Sequence, residues 1–176
     1  HGSVVVLERE SVAGYHTTGR SAALYTEAWE EGLWRTLTLA GRGFLENPPD
    51  GFADYPILSP LPVLMIGRKD QRNLVEALVA DAGRHVNLAV LDEPAARRLC
   101  PLLRPGYVRL AVLEEGARAI DVDALHHGYL RGIRRRKGRV KLGHGVDRID
   151  RTAVGWSVRS GDHLFNAPIV VNAAGA

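Results

Sequence analysis

The sequence predicts an α/β fold organised around a parallel sheet, and three observations support this class. The apolar run at residues 4–7 has the length of a buried parallel strand. A similar run at 169–171 leads into a turn of small residues. Between the two runs, amphipathic helical segments alternate with short strand-like segments, which is the pattern of an α/β protein. We therefore expect a doubly wound sheet that is interrupted by an excursion into an α+β domain.

Prolines and glycines divide the first half of the chain into elements. We predict a helix over 25–46 with a break near Gly41 or Gly43, an edge or irregular strand at 55–62, a strand at 63–66, a helix over 69–84, a strand at 86–91 and a helix over 93–99. The prolines between 56 and 62 exclude a helix there, because proline lacks the N–H donor. In the helix over 69–84, we predict a cap at Asp70, an apolar face of Leu74, Leu78 and Val79, and an end at Gly83.

The second half of the chain has a different pattern. Residues 107–120 alternate as one strand with a turn at 115–116, and a helix capped by Asp121 follows and ends at Gly138. Further strands are predicted at 139–143, 145–150, 154–160, 163–166 and 169–171. These elements divide the chain into a first domain part at 1–41, an excursion at 42–118 and a second domain part at 119–176.

The composition argues against several classes of function. The formal net charge is +3, and no apolar run approaches the roughly 20 residues of a bilayer span. The single cysteine, Cys100, cannot form an internal disulfide and is not part of a metal-binding motif. The basic stretch at 131–139 lacks interleaved aromatic residues and is typical of a solvated helix end, so we predict no nucleic-acid partner. His126 and His127 point about 100° apart on one helix, so we predict no metal.

Glu8 is the first residue with a specific chemical implication. It directly follows the apolar strand at 4–7. In a Rossmann unit, an acidic residue at the end of the second strand accepts hydrogen bonds from the ribose of a bound dinucleotide. The pattern therefore predicts that Glu8 binds a ribose, although a glutamate after a strand is common in any α/β protein.

Four segments together resemble one family of flavoproteins. "VVVLERE", "GYHTTGRSAAL", "DALHHGYLRGIRRRKG" and "VVNAAGA" resemble the FAD-dependent amino-acid oxidases and dehydrogenases of the D-amino-acid oxidase type. "NPPDGF", "ILSPLP" and "IDVDALHHGYLRGIRR" are similar to bacterial D-arginine dehydrogenases. The resemblance implies an incomplete Rossmann-type FAD-binding domain with an inserted part of an α+β substrate domain. It places the glycine-rich motif before residue 1 and the catalytic residues outside this chain, so we expect the isolated 176 residues to bind no FAD.

The resemblance also implies the cofactor-binding residues. Glu8 and Arg9 correspond to the positions that hold the adenosine, and Val146 to one whose backbone binds the adenine edge. The loop along the pyrophosphate and flavin comprises Thr17, Thr18, Gly19, Arg20, Ser21, Ala22, Ala23 and Leu24, and a turn against the dinucleotide comprises Ala173, Ala174 and Gly175. Small residues suit such loops because backbone N–H groups must approach phosphate oxygens to about 3 Å. Arg20 pairing with a carboxylate, and plain strand packing at 173–174, remain alternatives.

The implied reaction is the oxidation of a D-amino acid at its α-carbon, with hydride transfer to flavin N5. The implied pocket residues are Leu24, Trp29 and Val63. Val63 stands where relatives that select cationic substrates carry an acid, so arginine selectivity is not expected, because a buried guanidinium needs a carboxylate. A 2-hydroxy acid or secondary amine as substrate, and a non-catalytic α/β binding module, remain alternatives. The electron acceptor is not identified, and we expect a cytoplasmic location, either free or peripheral to the inner membrane.

Overall fold

The computed structural model describes residues 3–29 and 32–175. Ala176, the last residue of the predicted small-residue turn, lies outside them. The described strands are β1 (Val5–Leu7), β2 (Leu24–Tyr25), β3 (Leu58–Pro60), β4 (Val63–Gly67), β5 (Leu88–Leu91), β6 (Leu110–Glu114), β7 (Arg118–Ile120), β8 (Arg139–Lys141), β9 (Arg148–Thr152), β10 (Gly155–Ser160) and β11 (His163–Ala167). The described α-helices are α1 (Leu33–Glu46), α2 (Arg72–Ala82), α3 (Glu93–Leu99) and α4 (Val122–Arg135). The mixed α/β class that the sequence predicts is confirmed.

The chain forms two compact units. The discontinuous unit joins the segment up to Arg20 with the segment from His126 onward, and the continuous unit comprises Ser21–Leu125. These limits differ from the predicted domain limits at 41 and 118, because β2 pairs with β7 and so belongs with the continuous unit. The division into cofactor and substrate domains remains a prediction.

The discontinuous unit contains a parallel strand pair and an antiparallel meander. Strand β1 pairs with β8 in parallel, with Val6 opposite Val140. Strands β9, β10 and β11 form a sheet with β10 in the centre. The strand predicted at 145–150 begins later, at Arg148, because residues 142–147 form a loop.

The continuous unit contains two three-stranded antiparallel sheets. Their strand orders are β2-β7-β3 and β4-β6-β5. Strand β3 with Pro60 lies at a sheet edge, where a missing N–H donor is tolerated, so the edge-strand prediction is confirmed. The predicted single strand at 107–120 is split by the turn after Glu114, and its halves β6 and β7 belong to different sheets.

Two small clusters of buried apolar residues lie in the continuous unit. Ala111 of β6 is fully buried with Ala96 and Val108, and a second cluster joins Ala28, Ala82 and Val86. Helix α2 contributes Ala82 to the second cluster.

Three helix predictions need correction. Helix α1 starts at Leu33 and runs through Gly41 and Gly43 without the predicted break. Asp70 does not cap α2; it accepts hydrogen bonds of 3.0 and 2.9 Å from the guanidinium of Arg68. Leu74, predicted on the apolar face of α2, is 68% exposed.

The predicted cap of α4 is confirmed, but the helix ends at Arg135, before the predicted Gly138. Asp121 caps α4 by accepting a hydrogen bond from the Ala124 N–H at 2.8 Å. At the other end of α4, the Gly138 N–H donates to the Ile133 carbonyl at 2.8 Å. No helix in residues 3–29 or 32–175 has the length and apolar character that a membrane span requires.

The strand predicted at 169–171 does not form. Residues 168–175 have no regular secondary structure, and Ile169 and Val171 are 75% and 81% exposed. An apolar run forms a strand only when a neighbouring strand accepts and donates its hydrogen bonds.

Candidate cofactor site

The carboxyl ends of β1 and β8 bring two predicted adenosine-binding segments together. Strand β1 ends immediately before Glu8, and the loop at 142–147 follows β8. The His144 N–H donates to the Glu8 carbonyl at 2.8 Å, and the Gly143 N–H donates to the Glu10 carbonyl at 2.9 Å. Val146 lies in this loop and is 43% exposed. The carboxyl edge of parallel strands is where α/β sheets bind nucleotides.

The Glu8 carboxylate is oriented by its own turn. Its Oε1 accepts a hydrogen bond from the Glu10 N–H at 3.0 Å. A carboxylate offers about four lone-pair sites, so a further hydroxyl can donate to it. Beside it, a Cβ built on Gly145 would lie 3.4 Å from Cγ of Arg9, so loop and side chain are in van der Waals contact.

Residues 14–20 form a tight turn that depends on glycine. The Gly19 N–H donates to the Gly14 carbonyl at 2.7 Å, and the Arg20 N–H donates to the His16 carbonyl at 3.1 Å. A Cβ on Gly19 would lie 2.7 Å from the Gly14 carbonyl oxygen, so no larger residue fits without backbone movement. Thr17, Thr18, Gly19 and Arg20 are all exposed on this turn.

His126 has a packing position against this turn. Gly14 has φ +77°, and a Cβ there would lie 2.9 Å from the His126 ring. His126 and His127 contact each other edge to face, with ring centroids 5.5 Å apart. Among the described residues, no group of three or more histidine, cysteine or acidic side chains could hold a metal ion.

Arg20 lies over an aromatic ring. Its guanidinium carbon is 5.5 Å from the centroid of Tyr15, a cation–π distance. Tyr15 in turn contacts His16 edge to face, and His16 Nε2 lies 2.9 Å from Glu10 Oε1. The contact orients an exposed cation on this turn.

The remainder of the predicted flavin loop belongs to the continuous unit. Ser21 and Ala22 are exposed, and the Ser21 hydroxyl accepts a hydrogen bond from the Ala23 N–H at 3.0 Å. Ala23 has φ +56°, a left-handed conformation unusual for a residue with a Cβ. Its carbonyl accepts from the Ile120 N–H at 2.7 Å, which fixes the start of β2.

The predicted turn at 173–175 is exposed. The Asn172 side chain accepts a hydrogen bond from the Ala174 N–H at 3.1 Å, and Gly175 has φ +83°. Ala173 and Ala174 are exposed, so these two residues do not pack within a strand.

The predicted pocket residues lie in the continuous unit. Leu24 is half-buried in β2, Val63 is half-buried at the start of β4, and Trp29 is 63% exposed. Val63 stands directly opposite Glu114 of β6.

A buried polar network beside these residues was not predicted from the sequence. Glu27 is 5% exposed. Its carboxylate accepts a hydrogen bond from the Tyr25 hydroxyl at 2.7 Å and forms an ion pair with Arg42 at 2.5 Å. Burial, together with the hydrogen bond to Glu27, raises the pKa of the Tyr25 hydroxyl well above its ordinary value. Arg35 donates to the Glu27 carbonyl at 2.9 Å and pairs with Asp81 at 2.6 Å.

A second feature absent from the sequence prediction is a cleft of about 400 Å³ beside the loop at 142–147. His144, Ser160 and His163 contribute to its wall. The His144 and Ser160 side chains lie 3.3 Å apart, and the two histidine rings are 4.9 Å apart. Histidines scattered in strands and loops carry no sequence pattern that would have identified them.

The discontinuous unit fits a dinucleotide. An acidic side chain lies at the carboxyl edge of a parallel strand pair, and an exposed, glycine-dependent turn carries a cation, Arg20. This arrangement is typical of nucleotide-binding α/β proteins.

Comparison with known proteins identifies the family. The family model for FAD-dependent oxidoreductases (DAO) matches residues 1–176, so the chain belongs to that family and its cofactor is FAD. The D-arginine dehydrogenase subgroup has no such support and remains a prediction, as do the individual binding residues.

Solved structures share the fold at low sequence identity. A glycine oxidase from Geobacillus kaustophilus is 15% identical with a TM-score of 0.81, over 99% of this chain and 49% of that one. An L-proline dehydrogenase from P. horikoshii is 11% identical with a TM-score of 0.78, over 99% and 53%. An FAD-bound L-α-glycerophosphate oxidase from Mycoplasma pneumoniae is 16% identical with a TM-score of 0.74, over 91% and 44%. The chain thus spans about half the length of these structures.

Proposed function

We propose that this chain contributes the adenosine-binding edge and part of the substrate wall to an enzyme that oxidises D-amino acids at the α-carbon. The observation that carries the proposal is the meeting of Glu8 with the loop at 142–147 at the carboxyl edge of β1 and β8. When bound, FAD supplies the hydride acceptor. The amino acid loses a hydride from its α-carbon and a proton from its amine, and the resulting imino acid hydrolyses to a keto acid and ammonia.

In this proposal, the chain's own residues bind and orient FAD. Glu8 accepts hydrogen bonds from the ribose hydroxyls, the Val146 backbone meets the adenine edge, and Arg20 neutralises pyrophosphate charge. The turn at 14–20 is held in shape by hydrogen bonds from its own Gly19 and Arg20 N–H groups, and it carries Arg20 on its exposed face. No residue in this set moves a proton, so we assign no catalytic residue to the chain.

The half-buried side chains of Leu24 and Val63 favour an apolar substrate. A guanidinium in such a wall would lose its hydration without gaining a carboxylate. The carboxylate of Glu114, directly opposite Val63, is buried and already accepts two hydrogen bonds from protein groups. We therefore infer a preference for D-leucine or D-methionine over D-arginine.

A substrate panel tests the proposal. The full-length protein that contains these 176 residues is loaded with FAD and assayed with D- and L-leucine, D-arginine, proline and a 2-hydroxy acid, with both oxygen and an artificial dye as electron acceptors. We expect the highest kcat/KM for a hydrophobic D-amino acid. A higher value for D-arginine would contradict the apolar wall, and activity confined to proline or the 2-hydroxy acid would establish the alternative substrate class. Failure of the full-length protein to bind FAD would leave the non-catalytic module as the better description.

A further inference from the structure

Glu114 is a buried acidic residue at the end of β6. Its side chain is 1% exposed, whereas glutamate is almost never fully buried unless its oxygens are paired. Neither the cofactor site nor the proposed chemistry uses it. Its burial therefore needs a separate explanation.

Both carboxylate oxygens of Glu114 bind one short segment of the chain. Oε1 accepts a hydrogen bond from the Glu27 N–H at 2.8 Å, and Oε2 accepts one from the Thr26 hydroxyl. Hydrogen bonds to an ionised acceptor are roughly twice as strong as neutral ones, so the pair fixes the backbone at 26–27 firmly.

The same segment is held from its other side. Arg35 donates to the Glu27 carbonyl at 2.9 Å and to the Ala28 carbonyl at 3.5 Å. Ala28 is 1% exposed and packs against Ala82 and Val86. The segment 26–28 is therefore fixed relative to β6, and it lies between the predicted pocket residues Leu24 and Trp29.

Glu114 also stands in register with the third pocket residue. In the antiparallel pair of β4 and β6 it is directly opposite Val63. Directly opposite residues place their Cβ atoms about 4.5–5.5 Å apart on one face of the sheet. Through its backbone Glu114 contacts the strand of Val63, and through its side chain it holds the segment that joins Leu24 to Trp29.

We propose that Glu114 is a positioning residue that sets the distance between Val63 and the segment 24–29, and thereby the shape of the substrate wall; this rests on the proposed function. Glu114 acts without contacting the substrate, because both oxygens are occupied and the side chain is buried. Its removal widens the wall and weakens the binding of an apolar side chain, while the chemistry at the α-carbon proceeds at a similar rate.

The kinetic test compares Glu114→Ala, Glu114→Gln and Glu115→Ala in the FAD-loaded protein. We expect Glu114→Ala to raise KM for D-leucine by roughly ten- to a hundredfold. The change in kcat, calculated per bound flavin, should be smaller. Glu114→Gln should keep KM close to that of the native protein, since its amide oxygen accepts from the Glu27 N–H and its NH₂ group donates to the Thr26 hydroxyl. Glu115, the exposed neighbour, is the control and leaves KM unchanged. A lower melting temperature of Glu114→Ala with unchanged KM would overturn the proposal. A loss of activity on D-arginine alone in Glu114→Gln would also overturn it, because Glu114 would then contact the substrate.

A second measurement works without any substrate. Hydrogen–deuterium exchange of a peptide covering 24–29 includes the Glu27 N–H, and in Glu114→Ala we expect one amide of this peptide to exchange at least roughly tenfold faster. Thr26→Val, which retains the Glu27 bond, serves if Glu114→Ala does not fold, and we expect a smaller increase there. Unchanged exchange in both variants would refute the positioning role. An enzyme inactive on all amino acids would refute the proposed function, while the exchange result would still decide whether Glu114 holds the segment.

Discussion

Val63 of β4 and Glu114 of β6 lie directly opposite each other, and the carboxylate of the pair is almost completely buried. Like charges directly opposite in a sheet are destabilising. Introducing an acid at position 63 would therefore place a second carboxylate beside the first. Any change of substrate preference through this position has to overcome that repulsion.

Val63→Glu should shift the preference toward D-arginine and lower the melting temperature at the same time. The gain comes from a carboxylate for the guanidinium, and the loss comes from repulsion by Glu114. Adding Glu114→Gln to Val63→Glu should recover part of the stability. Thermal melts and kcat/KM on D-arginine and D-leucine check both effects, and additive melting shifts in the double variant would show that the two positions do not interact.

Glu8→Ala should weaken FAD retention by roughly 1.5–3 kcal/mol, because a charge-assisted hydrogen bond is lost. Glu8→Gln is the matched variant: it keeps an acceptor for the Glu10 N–H but loses the charge. We expect both variants to release flavin during gel filtration at low protein concentration, with the alanine variant releasing more. Full flavin occupancy in both would refute the ribose-binding role.

Gly19→Ala should destabilise the turn at 14–20 by about 1–3 kcal/mol, since its Cβ would meet the Gly14 carbonyl oxygen at 2.7 Å. Gly41→Ala is the control within a helix, where no atom lies within 4 Å of the added Cβ. It should stabilise the protein by about 0.5–1 kcal/mol. Urea unfolding with bound flavin measures both, and stabilisation by Gly19→Ala would contradict the turn geometry.

The ion pair of Arg35 and Asp81 predicts that the free energy of unfolding falls at acidic pH. The hydrogen bond from Arg35 lowers the pKa of the Asp81 carboxyl below its ordinary value of 3.8. The unfolded chain then binds a proton more readily than the folded one. The contribution of the Arg35–Asp81 pair to the free energy of unfolding is therefore complete above about pH 3.8, and it is lost as the pH falls through the lower pKa of the folded state. Arg35→Met should be less stable than the native protein at about pH 6, and the difference should shrink at about pH 3.

The exposed partner of Asp81 supplies the control for this experiment. Arg84 donates to the other carboxylate oxygen at 3.0 Å and is 68% exposed. Because exposed ion pairs contribute little to stability, Arg84→Met should change the stability difference between about pH 6 and pH 3 much less than Arg35→Met does. Equal effects of the two variants in urea unfolding would show that burial of Arg35 is unimportant.

Some features that depend on neighbouring residues were predictable from the sequence, although the predicted Asp70 cap was not confirmed. Asp121 caps α4 because its side chain reaches an N–H three residues away, and Glu8 follows its strand by chain order alone. By contrast, the continuity of α1 through Gly41 shows that the cost of glycine, about 1 kcal/mol, is outweighed by the remainder of the helix.

Features that depend on distant residues were not predictable. Glu114 follows an alternating apolar run and has the pattern of a surface residue, yet its partner Thr26 is 88 positions away. The strand expected at 169–171 failed for the same reason, since the hydrogen-bonding neighbour of a strand is not encoded in its own residues. The roles of the candidate site residues remain predictions, and the network of Glu114, Thr26 and Glu27 was not predicted from the sequence.

The discontinuity of one unit has a consequence for synthesis on the ribosome. Val5 pairs with Arg139, so β1 must wait until residues beyond the continuous unit have been translated. The continuous unit can fold during that delay, and its hydrogen bond between Ala23 and Ile120 brings the chain segments flanking it together. This contact shortens the effective loop between β1 and β8 and lowers the entropy cost of closing it. Folding of residues 21–125 before β8 is translated would thus prepare the pairing of β1 with β8.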